Sequence, residues 1–118
     1  MKRLSLVAVA ILLLSGCASE TTYESPSALL KAYVAAGRDC PNPSAVPEAW
    51  VVEGAHGLLC PGADFLIVFD SEASKNRYLA LTLDGSSELQ AVVGERWVVV
   101  TSDAKELAEK LGGEVKTG

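Results

Sequence analysis

The stretch Phe65-Leu66-Ile67-Val68-Phe69-Asp70-Ser71-Glu72-Ala73 decides how this chain folds. Five consecutive apolar residues are too few for a helix of ordinary length, and they are rich in β-formers. A strand covered on both faces is the natural reading. Asp70 and Ser71 then supply side-chain oxygens that can satisfy the free N–H groups of a helix start. A helix over Glu72 to about Leu81 follows, with Ala73, Tyr78 and Leu81 as inward candidates. The same order recurs at Trp97-Val98-Val99-Val100-Thr101-Ser102-Asp103-Ala104, which reads as strand, cap and helix, with Leu107 and Leu111 on the apolar side. Gly112-Gly113 stops that second helix.

Working outward, each central strand has a partner upstream. His56 to Cys60 precedes the turn Pro61-Gly62-Ala63, and Leu89 to Val93 precedes the tight Gly94-Glu95 turn. Both read as hairpins. Asp84-Gly85-Ser86-Ser87 separates the two halves. Before them, Ser25-Pro26 opens a helix with a capping hydroxyl and a proline at the first helical position. Leu29, Leu30, Tyr33 and Val34 repeat at helical spacing, and Gly37 ends the run. Asp39 to Pro47 is a proline-rich loop in which no regular structure is expected. Trp50-Val51-Val52 reads as a short strand or as a loop packed on the core. The expectation is an α+β domain: an N-terminal helix, then two β-β-α units. Their four-stranded, mainly antiparallel sheet would carry its helices on one face, in a permuted ferredoxin-like arrangement.

The first residues have a different character. Met1-Lys2-Arg3 is basic, Leu4 to Leu14 is weakly polar to apolar, and Leu14-Ser15-Gly16-Cys17 follows. Roughly eleven such residues are too few to span a bilayer, which takes about 20. The pattern is that of a cleaved secretory signal. The quartet resembles the bacterial lipobox. That resemblance implies cleavage before Cys17 and attachment of a diacylglyceryl group to its sulfur. Residues 1–16 are then a signal peptide, 17–25 a lipidated cysteine with a polar tether, and 26–118 the single folded domain. Two acyl chains anchor a protein stably where one holds only marginally. The resemblance places the chain at the cell membrane, lipid-anchored on the extracytoplasmic face, with the membrane as a partner through Cys17.

The 118 residues carry 15 acidic and 10 basic side chains, a formal charge of -5, and the loss of Lys2 and Arg3 with the signal makes the mature chain more acidic still. Such a balance argues against nucleic acid as a partner, because phosphate neutralisation needs a positive face. It also argues against adhesion of the domain to anionic headgroups. With Cys17 set aside, Cys40 and Cys60 remain. An exported chain with an even cysteine count favours a disulfide between them, worth about 3 kcal/mol on the chain-entropy model. Two buried thiols or half of a metal site are the alternatives. His56 is the single histidine and there is no Cys-x-x-Cys, so a zinc site lacks ligands.

The order lipobox, helix ending at Ala35-Ala36-Gly37, Cys40, Cys60 and then Phe65 to Phe69 resembles small secreted lipoproteins of high-GC Gram-positive bacteria. Val93-Gly94-Glu95-Arg96-Trp97-Val98-Val99 and Leu111-Gly112-Gly113-Glu114-Val115 are similar to that group as well. The resemblance implies the fold, the disulfide and the address, and no activity.

No nucleophile elbow, metalloprotease histidine pair or phosphate-binding loop is present. No catalytic residue, cofactor or metal is assigned. Asp64, Asp70 and Glu72 could meet at a strand end, yet Asp70 already has a use at a helix start. Trp50 and Trp97 are either an aromatic platform or core residues. The leading expectation is a non-catalytic binding or structural module with an envelope protein partner. The alternatives are a small enzyme or ligand-binding protein with a pocket near His56 and Trp50, and an inhibitor of an extracellular enzyme.

Overall fold

The computed structural model describes residues 22–62, 64–83 and 89–118. The signal peptide and Cys17 lie outside the described residues, as do Ala63 and the break at 84–88. In chain order the elements are α1 (Pro26–Ala35), β1 (Ser44–Ala45), a 3-10 turn (Glu48–Trp50), β2 (Ala55–Cys60), β3 (Asp64–Phe69), α2 (Glu72–Leu83), β4 (Gln90–Gly94), β5 (Trp97–Thr101), α3 (Ala104–Leu111) and β6 (Glu114–Thr117). The class is α+β. The strands form one sheet in the order β1-β2-β3-β5-β4-β6, with every neighbouring pair antiparallel.

The expected sheet of four strands is thus one of six. The four expected strands form its centre, in the order β2-β3-β5-β4, and the additions are its two edges. β1 lies inside the proline-rich loop, where Pro41, Pro43 and Pro47 leave room for only two residues of ladder. β6 continues past Gly113 and all four of its residues are exposed. An edge strand with no buried side chain carries no hydrophobic alternation to announce it.

The expected placement of all helices on one face is also corrected, and with it the ferredoxin-like arrangement. β3 and β4 are both antiparallel to β5, so the β3-α2-β4 connection is a parallel crossover that skips one strand. β5 and β6 are both antiparallel to β4, so β5-α3-β6 is a second crossover of the same kind. The two crossovers step in the same direction across the sheet from strands that run in opposite directions. Crossovers of one hand must then put their helices on opposite faces, which is where they lie. Leu66, Val68, Val92, Trp97 and Val99 pack under α1 and α3 with Leu29, Tyr33, Leu107 and Leu111. Ile67, Phe69, Ala91, Val93, Val98 and Val100 pack under α2 with Tyr78 and Leu83.

Local chemistry accounts for the helix ends. The Ser25 hydroxyl accepts the Ala28 N–H at 3.1 Å, and Pro26 occupies the first turn. For α2 it is Ser71 that caps, accepting the Ser74 N–H at 3.2 Å. Asp103 stands at the start of α3 but gives no side-chain cap; the Ala104 N–H goes instead to the Gln90 amide oxygen at 3.2 Å. The inward stripe of α2 is Lys75, Tyr78 and Leu83, while Ala73 and Leu81 face solvent. A charged residue on the buried stripe hid its phase. Lys75 can be there because its stem packs against apolar surface while its ammonium donates to the Gly94 carbonyl at 2.8 Å and pairs with Glu72 at 2.9 Å.

Trp97 closes the core at the β4–β5 turn with no exposure at all. A Cβ on Gly94 would lie 2.1 Å from its indole, so only glycine leaves the ring its place. Tyr23 meets the same indole edge-on, with ring centres 5.2 Å apart, and donates its hydroxyl to the Leu111 carbonyl at 3.1 Å. Tyr23 falls within the expected tether of residues 17–25, and here it is part of the packed domain.

Candidate binding groove

Four features of the loop between α1 and β2 build a groove at one corner of the sheet. Cys40 and Cys60 are joined by a disulfide with Cα atoms 5.0 Å apart, which fastens the loop's start to the end of β2. Val46 is buried, and its N–H donates to the Gly57 carbonyl at 3.0 Å. A Cβ on Gly57 would lie 3.2 Å from the Val46 side chain and 3.0 Å from Ile67, so glycine at 57 lets the loop approach. Pro47 then starts the 3-10 turn that ends at Trp50, whose N–H donates to the Pro47 carbonyl at 3.0 Å. The loop thereby passes round the sheet edge and carries Trp50 to the face covered by α2.

There the indole of Trp50 stacks on Phe65, with ring centres 6.2 Å apart and planes 18° from parallel. Trp50 keeps 57% of its surface exposed, against none for Trp97. The pair forms one wall of a groove of about 430 Å3, completed by Asn42, Ser44, Leu59 and the Cys60-Pro61-Gly62 turn. Among the described residues no ionisable side chain lines it. The neighbouring carboxylate, Asp64, alternates with Phe65 and points to the opposite face. It accepts the Tyr33 hydroxyl at 2.5 Å and the Thr101 hydroxyl at 3.1 Å, with Arg38 at 3.9 Å. Burial, and then the Asp64 hydrogen bond and charge, push the Tyr33 phenol well above its ordinary value, so it stays a neutral donor. This network is a structural tie between α1, β3 and β5.

The residues paired in the alternative reading are separated. Leu59 faces Phe65 across the β2–β3 ladder and His56 faces Val68, so alternation sends His56 to the face of α1 and α3 and the groove to the face of α2. His56 Nε2 stands 3.2 Å from the Asp70 carboxylate in a separate cleft of about 390 Å3 that includes Tyr23, Ser25 and Arg96. Asp64 and Asp70 sit at the two ends of β3, and Glu72 is held by Lys75 and by the Arg96 N–H at 2.9 Å. The three carboxylates do not converge. A larger cleft of about 700 Å3 runs past Gly94 and Gly113, but its buried cation, Lys75, is already consumed by internal bonds. Among the described residues no three His, Cys, Asp or Glu side chains are placed to hold a metal ion, and no helix is long and apolar enough to cross a membrane.

The sequence marks Trp50 as a candidate platform but not its partners: Phe65 lies in a plain apolar strand run, and nothing in the local pattern of Asn42 or Ser44 marks them as groove walls. No protein family, curated protein or solved structure matches this chain.

Proposed function

We propose that this chain is a lipid-anchored, non-catalytic binding module of the outer face of the cell envelope, which meets its partner through the Trp50–Phe65 groove. The observation that carries the binding role is a tryptophan left 57% exposed in a chain that buries its other one completely. Exposed aromatics in concave, weakly polar settings are the usual anchors of recognition.

The placement of the groove suits an anchored protein. The chain enters the domain at Tyr23, on the face of α1 and α3 and beside the β4–β5 turn. The groove opens on the other face and at the far end of β3. Five residues, 18–22, separate Cys17 from the docked Tyr23, and a stretch of that length spans at most about 18 Å. An anchor at Cys17 would hold the entry corner near the bilayer and turn the groove away from it.

Two measurements test the proposal. Replacing Cys17 with Ala should release the protein from membranes; continued lipid-dependent retention would overturn the anchor. A photoreactive residue at Ser44, on the groove rim, should yield a discrete adduct in native membranes that disappears in a Trp50→Ala background. Adducts unchanged by that substitution would overturn the groove as the contact surface.

A further inference from the structure

We infer that the Trp50–Phe65 groove is a binding site for a neutral oligosaccharide; this rests on the reading of the chain as a binding module and names its ligand class. Three observations carry it. The exposed indole face is held nearly parallel to Phe65, which braces it as a flat platform. A sugar ring presents an apolar C–H face that packs on such a surface, while its hydroxyls remain at the ring's rim. Those hydroxyls need groups that both donate and accept. The Asn42 amide and the Ser44 hydroxyl, both exposed in the groove wall, are of that kind, and neither side chain is committed elsewhere among the described residues.

Charge narrows the choice. With no ionisable side chain in the walls, a phosphate- or carboxylate-bearing ligand finds no cation, and the chain's charge of -5 repels polyanions. A cationic ligand finds no carboxylate there, because Asp64 is turned to the other face and occupied. A peptide added as a further strand would need main-chain pairing along the adjacent edge. That edge is β1, only two residues long, and the prolines at 41, 43 and 47 bring no N–H to it. The groove's volume suits a short saccharide.

The probes are two uncharged tetrasaccharides, tetra-N-acetylchitotetraose and maltotetraose, titrated into the full lipidated chain in detergent. Calorimetry reads affinity. Intrinsic emission reads the site, since Trp50 is reachable by ligand and Trp97 is fully buried. The expected result is saturable binding of at least one probe with a change in Trp50 emission. Binding should weaken by about tenfold or more in Trp50→Ala and measurably in Asn42→Ala. No saturable binding of either probe, or equal affinity in wild type and Trp50→Ala, overturns the proposal. Binding of a proline-rich peptide in place of both sugars also overturns it, while the binding-module reading survives through a Trp50-dependent adduct. Loss of that adduct as well removes both. Near-ultraviolet dichroism checks folding, and if Trp50→Ala is misfolded, Asn42→Ala and Trp50→Phe decide the matter.

Discussion

The two tryptophans lie on opposite faces of one sheet, near opposite ends of β3, and have opposite relations to it. Trp97 is enclosed by Tyr23, by the backbone of Gly94 and by Gly113, and its residue loses every part of its exposure. Trp50 rests on a single ring, that of Phe65, at the end of a loop held by a disulfide. The same side chain is in one case a structural keystone and in the other a surface offered to something else. The difference comes from what the chain brings to each ring. Two glycines make room around Trp97, whereas a turn closed by Pro47 lifts Trp50 onto the outside of the sheet.

Substitutions can break this comparison. Trp97→Ala should cost about 3–5 kcal/mol, the range for removing a buried aromatic, read as a lowered denaturant midpoint. A loss under about 1 kcal/mol would show that the corner repacks freely. Removing the disulfide, with Cys40 and Cys60 both changed to Ser, should cost about 3 kcal/mol for a 20-residue separation. In the unreduced, unfolded wild type, thiol labelling should find neither cysteine reactive. Trp50→Ala should cost about 1 kcal/mol or less, since only the stack on Phe65 is lost. A larger loss would make Trp50 a core residue and weaken the groove's claim.

The smallest effect concerns the turn beside Trp97. Lys75, and secondarily the Arg96 N–H, lower the Glu72 carboxyl below its ordinary value. A depressed carboxylate stabilises the fold above its unfolded-state titration, and that contribution disappears as the pH falls through the lowered folded value. Glu72 is half exposed, so the screened contribution at neutral pH is under about 1 kcal/mol. The melting difference between wild type and Glu72→Gln should therefore shrink on acidification; a difference that grows would reverse the assignment.

Much of the fold is legible residue by residue. The apolar runs at 65–69 and 97–101, the turns after Cys60 and Val93, and the Ser25-Pro26 start all act through neighbours in the chain. The misses share a cause. β6 is exposed throughout, α2 hides a lysine on its buried stripe, and Tyr23 docks on residues more than 70 positions away. Each depends on a partner that local pattern does not contain. The groove is a case of the same kind, since Asn42, Ser44, Trp50 and Phe65 become one surface only when the loop rounds the edge of β2.

By itself, the sequence determined the α+β class, the central hairpins, the helix starts and the plausibility of a Cys40–Cys60 bond, because short-range sterics, capping and hydrophobic period act within a few residues. Tertiary structure alone decided which face each helix covers, that His56 and Trp50 part company, and that one tryptophan is buried while the other stands open. The helix faces follow from strand direction and crossover hand, and the other two from how the α1–β2 loop and the glycines at 94 and 113 meet the assembled sheet; none of these is a property of a single segment.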